Sequence, residues 1–254
     1  VGFDRFEITD VEDRVALVTM SRVGKLNAMD RRFFDELTVV MRELPESGAD
    51  VIVLTGGGTA FSAGGDIETF STLTDPVAVR RHLRAVYDAF HSVERCEAPV
   101  ISAVNGIAYG GGTELVLASD LAIASTSARF AFKEVTVGLM PGYGVIRGPD
   151  VIGRRWTRRM AMTGESVGAD TAREIGLVEE VVAPEVLVDR AIDLARRIRS
   201  SAPLGVKLSK QFVNRDQSAP GQAESIEATA LLFTTDEHQR RVAGFLAGER
   251  PAKD

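Results

Sequence analysis

Two glycine-rich turns and two glutamates are the features of this chain whose types and spacing suit chemistry. Val51 to Thr55 runs into Gly56-Gly-Gly-Thr-Ala-Phe-Ser-Ala-Gly-Gly-Asp66, and Val100 to Val104 runs into Asn105-Gly-Ile-Ala-Tyr-Gly-Gly-Gly-Thr-Glu114. Each follows an apolar strand-like segment, and the carboxyl ends of strands are where open α/β sheets bind ligands. Glycine lets a backbone approach a ligand closely, and a helix opening at such a turn points unpaired N–H groups outward. Two such turns can aim two donors at one developing oxyanion; either alone reads equally well as a tight turn. Glu114 falls in the first turn of the second predicted helix, and Glu134 follows the apolar run Arg129-Phe-Ala-Phe132. A lone glutamate is usually a solvated charge, but a pair fixed to the ends of buried-looking elements suits general acid and base work.

Other chemistries fail on inventory. Neither turn contains G-x-G-x-x-G, and Gly142-x-Gly144-x-x-x-Gly148 follows Pro141 without a strand to feed it, so a dinucleotide site is disfavoured. There is no G-x-S-x-G. His82, His91 and His238 sit on predicted helices without metal-ligand spacing and read as surface or structural, so no metal site is expected. Arg154, Arg155, Arg158 and Arg159 read as a solvated helix face, with an anion or subunit contact as the alternative.

The elements that must position these groups alternate. Phe6 to Ile8 and Arg14 to Met20 read as strands around a turn at Asp10 to Asp13. Asp30 reads as the cap of a helix whose apolar face is Phe33, Phe34, Leu37, Val40, Met41 and Leu44, with Pro45 as its stop. Val51 to Thr55 has the continuous apolar character of a strand buried on both faces. A helix over Val77 to Val93, a strand over Pro99 to Val104, a helix from about Gly112, and strands at Leu121 to Ala124 and Arg129 to Phe132 continue the alternation. Beyond Pro141 the chain reads as helices at Arg154 to Met162, Ala169 to Ile175, Pro184 to Arg199, Leu204 to Val213, Gln222 to Phe233 and Glu237 to Leu246, interrupted by one strand at Leu177 to Val182.

Composition bounds the rest. The 254 residues carry 30 basic and 36 acidic side chains, a net charge of −6, with 44% hydrophobic and 26% charged residues. These proportions exclude disordered and low-complexity classes, and the acidic balance disfavours a nucleic-acid partner. Cys96, the single cysteine, can form no intrachain disulfide and reads as a buried small hydrophobe in a reducing compartment. No apolar run approaches the ~20 residues of a membrane span, and Val1 to Asp10 has no signal-like pattern, so no membrane partner and a cytoplasmic location are expected.

The chain resembles the crotonase (enoyl-CoA hydratase/isomerase) superfamily in a series of motifs in family order. They are Lys25-Leu-Asn-Ala-Met29, Phe61-Ser-Ala-Gly-Gly-Asp-Ile67, Ala98-Pro-Val-Ile-Ser-Ala-Val-Asn-Gly106 leading to Gly110-Gly-Gly-Thr-Glu114, Ser119-Asp120, Phe130-Ala-Phe-Lys-Glu134, Val137-Gly-Leu-Met-Pro-Gly142 and Ala172-Arg-Glu-Ile-Gly-Leu-Val178. The resemblance implies an α/β fold, a spiral of repeated ββα/βαβ units over 1–190, with a helical region at 191–254 for trimerisation, commonly as a dimer of trimers. It implies an acyl-CoA thioester substrate, whose coenzyme A is part of the substrate, and no separate cofactor. By position it implies an oxyanion hole from the amides of Gly65 and Gly111, with Glu114 as base and Glu134 as acid. Lys25, Leu26, Ala63, Gly64, Asp66, Ile67, Gly142 and Tyr143 would bind the thioester or its CoA: Ala63, Asp66 and Ile67 at the adenine end, Lys25 at the phosphates, and Arg250 or Lys253 of a neighbouring subunit as weaker candidates. The implied reaction is hydration of a 2,3-enoyl thioester. A Δ3,Δ2-enoyl isomerase and a non-catalytic acyl-CoA binder are the alternatives.

The chain departs from the family pattern at Phe132-Lys133, which replaces a Gln-Pro pair, and at Pro141-Gly-Tyr-Gly-Val-Ile-Arg147, which replaces roughly Pro-Gly-x-Gly-Gly-Thr-Gln. Tyr143, Val145 and Ile146 therefore indicate either an altered acyl pocket or reaction, or ordinary packing beneath the site. Ser21-Arg-Val-Gly24 also lacks the usual proline.

Overall fold

The computed structural model describes residues 2–11, 14–214, 226–227 and 229–248. The chain opens with an antiparallel hairpin, β1 (Phe6–Val11) and β2 (Val15–Met20). β1 runs past the expected turn through Asp10 to Val11, while residues 12–13 lie outside the described residues. Helix α1 (Arg31–Glu46) is capped by Asp30, whose carboxylate accepts the Phe33 N–H at 3.0 Å. Pro45 does not stop this helix but sits within its last turn. A proline there leaves the carbonyl four residues back without its donor. The Cys96 thiol donates to that Met41 carbonyl at 3.2 Å, so the buried cysteine completes the turn.

Three parallel crossovers then advance one strand at a time through β3 (Val51–Gly56), β5 (Val100–Val104) and β7 (Leu121–Ser125). The helices α3 (Pro76–Arg95) and α4 (Gly111–Ala118) lie within these crossovers, and α3 is capped by the Asp75 carboxylate on Ala78 N–H at 2.7 Å. With β10 (Glu180–Val182), the main sheet has the order β1-β2-β3-β5-β7-β10. Both faces are covered: α1, α3 and α4 contribute to the larger core, and α8 (Leu187–Arg199) buries Leu187, Ala191 and Ala195 against Val51, Val53, Ile101 and Ile123. This accounts for the unbroken apolar run of β3, every residue of which is buried.

A second, four-stranded sheet draws two of its strands from the glycine-rich segments read from sequence as turns and a third from the strand expected at 129–132. Its order is β4 (Ala60–Ser62), β6 (Ile107–Tyr109), β8 (Arg129–Ala131) and β9 (Val167–Gly168). Parallel pairing of β4 with β6 draws the two glycine-rich turns side by side, and pairing of β6 with β8 brings the Glu134 segment against them. Downstream come α5 (Gly144–Val151), α6 (Gly153–Thr163), α7 (Ala169–Glu174), α9 (Pro203–Val213) and α10 (Asp236–Leu246). The expected helix at 222–233 is helical over its described part, while residues 222–225 and 228 lie outside the described residues. No helix among the described residues is long and apolar enough to cross a membrane.

Candidate active site

The paired turns form one edge of a cavity of about 80 Å³ that reaches Gly65, Gly111, Glu114, Glu134, Gly142 and Tyr143. Phe34, Phe70, His82, Tyr87, Phe90 and Phe233 supply a largely aromatic wall. Larger clefts lie elsewhere, including two of about 660 Å³, one beside α5 and α6 and one beside α9. Neither contains the paired glutamates.

Backbone contacts hold the glycine turns in register. The Ala63 N–H donates to Leu26 O at 2.9 Å, the Met29 N–H to Gly64 O at 2.8 Å, and the Asp66 N–H to Met29 O at 2.9 Å, so 26–29 zips onto 63–66. A Cβ on Gly64 would lie 2.5 Å from Tyr109 O, and one on Gly111 would lie 3.8 Å from Gly65 N. The two loops meet at backbone distance, and at Gly64, with φ +92°, a side chain would prevent the approach. Gly110 adopts φ +51°, and a Cβ there would lie 2.7 Å from Glu134 Oε1.

Glu114 is buried, and its Oε1 accepts the Gly144 N–H at 2.8 Å, with the Tyr143 N–H also contributing. The amides that hold it belong to the start of α5, beyond those of its own helix α4. Burial pushes the Glu114 carboxyl up to about 7, against the pull of these two amides. Glu134 opens a short 3₁₀ turn, Glu134–Val137; the residue is half-buried, but Oε2 is sealed from solvent and has no hydrogen-bond partner. Burial first, then the neighbouring Glu114 charge, raise this carboxyl well above its usual range. The arrangement favours one ionised and one protonated carboxyl, titrating as a pair.

Residues 10–250 match the enoyl-CoA hydratase/isomerase family. The chain belongs to this family. It is 35% identical to the short-chain-enoyl-CoA hydratase of Clostridium acetobutylicum over 246 residues, 94% of each chain, and 34% identical to the crotonyl-CoA hydratase of Syntrophomonas wolfei over 245 residues, again 94% of each. An enoyl-CoA hydratase/isomerase structure from Mycobacterium paratuberculosis superposes with a TM-score of 0.87 at 27% identity, covering 94% of this chain and 97% of the other. That of an enoyl-CoA hydratase from Bacillus anthracis gives 0.80 at 30% identity, covering 98% of both.

Within this enoyl-CoA hydratase/isomerase family fold, the sequence-predicted residues divide into two groups. Gly65, Gly111, Glu114, Glu134, Gly142 and Tyr143 share the cavity. Lys25 and Leu26 are exposed outside it, and Lys25 Nζ lies 2.5 Å from Glu68 Oε1. The Asp66 carboxylate is occupied within the protein, capping α2 (Ile67–Thr72) through the Glu68 N–H at 3.0 Å and pairing with Arg22 at 2.6 Å. Ile67 packs partly buried on the core. Arg250 and Lys253 lie outside the described residues. Lys133, one of the departures, turns toward Gly164 O at 2.6 Å. The arginines of α6 are exposed.

Sequence reasoning missed Gly144, the aromatic wall, and the pair Glu94 and Arg147. His82 and Glu94 carried a legible signal, since both interrupt the apolar stripe of α3 that includes Val79, Leu83, Tyr87 and Phe90. His82 is buried, which holds its imidazole down to about 4 and therefore neutral near pH 7. Gly144 carried none, because its role is played by the backbone.

Proposed function

We propose that the protein is an enoyl-CoA hydratase that adds water across the 2,3 double bond of an acyl-CoA thioester in the aromatic-walled cavity. The reading is carried by two glutamates in that one cavity, one accepting two amides that favour its anion and the other, with Oε2 unpartnered, driven further toward its protonated form. Water addition to a conjugated thioester builds negative charge on the carbonyl oxygen. The Gly65 and Gly111 amides receive that oxygen, and each such donor is worth roughly 10²–10³ in rate. Glu114 takes a proton from water as its oxygen attacks C3, and Glu134 delivers a proton to C2. Both half-steps then leave the carboxyls with exchanged protons, which solvent resets.

The CoA portion runs outward past Ala63 and Gly64 toward Lys25 and Leu26, where phosphate would compete with Glu68 for the lysine ammonium. Asp66 and Ile67 shape the adenine end through the start of α2. Residues 1–190 form the spiral with the site, and 191–254 the helical region for association as a trimer or dimer of trimers. Exposed Leu204, Leu208, Phe212 and Val213 on α9 and Phe245 and Leu246 on α10 support that association.

The test is crotonyl-CoA followed at the ultraviolet band of the conjugated thioester. Hydration removes the band. A band that appears from a 3-enoyl-CoA, with crotonyl-CoA inert, establishes the isomerase instead. Inert behaviour of both, with CoA esters raising the melting temperature, establishes a binder.

A further inference from the structure

Behind the cavity, a charged pair joins α3 to α5. Glu94 Oε1 lies 3.1 Å from Arg147 Nε, with the Glu94 side chain 4% exposed and that of Arg147 18%. Arg147 lies one turn beyond Tyr143 and Gly144, the residues whose amides hold Glu114, and its own N–H donates to Tyr143 O at 2.9 Å. The Tyr143 phenol is buried beside Glu94, and its ring meets Phe90 at 5.1 Å and Tyr87 at 6.0 Å. One largely buried ionic contact therefore ties α3 to the short helix at whose start the Gly144 amide reaches the Glu114 carboxylate.

A pair this deeply buried gains little net stability over a well-packed apolar pair, because desolvation offsets its attraction. Its distinctive property is direction. α5 contains Gly144, Gly148 and Pro149, a poor helix-forming set that needs an external restraint to hold one position.

We propose that Glu94 and Arg147 are positioning residues, a clasp between α3 and α5 that holds the Tyr143 and Gly144 amides on Glu114. The proposal rests on the reading of Glu114 as the water-activating base. Around the clasp, His91 Nε2 lies 4.0 Å from Glu94 Oε2 and Asp150 Oδ2 lies 3.7 Å from Arg147 Nη1, the Tyr143 phenol is buried among Glu94, Arg147 and Glu114, and the Tyr87 ring meets those of His91 and Tyr143.

The experiment replaces the clasp by an apolar pair, E94L/R147M, which roughly keeps volume and leaves no buried charge without a partner, the Asp150 side chain being exposed to solvent. The expected result is a folded protein with kcat for crotonyl-CoA lowered about 10- to 100-fold, the scale of a small displacement of catalytic geometry. KM should stay within about threefold, since the groups proposed to bind the thioester carbonyl are untouched. The acidic limb of the kcat profile should move to higher pH, because Glu114 loses amide donation. A folded variant with unchanged kcat and an unmoved acidic limb overturns the proposal. Should the apolar pair not fold, E94Q/R147Q decides on the same two readouts, since it removes the ionic attraction and leaves neither buried charge behind. If the wild type does not hydrate crotonyl-CoA, the hydratase reading falls separately. The clasp is then judged by hydrogen exchange at the Tyr143 and Gly144 amides, which should quicken about tenfold in the variant; unchanged exchange overturns it.

Discussion

Replacing Glu114 by glutamine should make the protein more stable and nearly inert. Burial holds the Glu114 carboxyl at about 7 against an ordinary 4.5. A carboxyl raised in this way favours the folded state below pH 4.5, and that contribution is lost as pH rises through 7. By linkage the ionised group therefore costs about 3 kcal/mol of folding free energy at pH 8, and below about 1 kcal/mol at pH 5. Glutamine has no charge to desolvate, and its carbonyl oxygen can still accept the Gly144 N–H. Removing the Glu114 charge also relieves Glu134, which adds to the gain. For a chain of this size, 3 kcal/mol corresponds to roughly 6–12 °C in Tm. Calorimetry of both proteins at pH 5 and pH 8 measures the difference, and a parallel assay should show hydration reduced by about 10²–10⁴-fold. A variant no more stable than the wild type at pH 8, or one stabilised equally at both pH values, would refute the electrostatic reasoning.

Three further outcomes follow from the same geometry. Glu134→Gln should abolish most hydration while leaving the binding of a CoA thioester within about threefold, as measured by calorimetric titration. Gly110→Ala should lower activity more than it lowers substrate binding, because the added methyl meets Glu134 Oε1 at 2.7 Å and the backbone φ is +51°; steady-state kinetics separate the two effects. His82→Phe should remove an acid-side loss of stability. The wild-type imidazole, held down to about 4, contributes stability above pH 6.5 that disappears as pH falls through 4, about 3 kcal/mol in all, and denaturant titrations of both proteins across that window isolate it.

The larger elements were legible because their signals are strong. Asp30 and the apolar spacing of Phe33 to Leu44 define α1, and the uninterrupted run Val51 to Thr55 defines β3. The placement of Glu114 and Glu134 at element ends was also legible, and the structure brings both to one cavity with Gly65 and Gly111. Of the smaller sheet only β8 was legible, since β4 and β6 have three residues each within glycine-rich segments, too few for an alternation to register. Yet their pairing is what turns two ordinary glycine turns into one site. α5 was hidden by Gly144, Gly148 and Pro149, and α1 ends one residue past the expected stop at Pro45, with a thiol distant in sequence serving the carbonyl that proline leaves open. The Glu94–Arg147 contact spans α3 and α5, a juxtaposition no local pattern encodes.

The most direct measurement is single-turnover conversion of crotonyl-CoA in water enriched in heavy oxygen, with wild type and Glu114→Gln side by side. The wild type should place one labelled oxygen at C3 and one solvent hydrogen at C2 as the conjugated band disappears, and the variant should do so at least about 10²-fold more slowly. Retention of the double bond by the wild type, or equal rates for the two proteins, would contradict this mechanism.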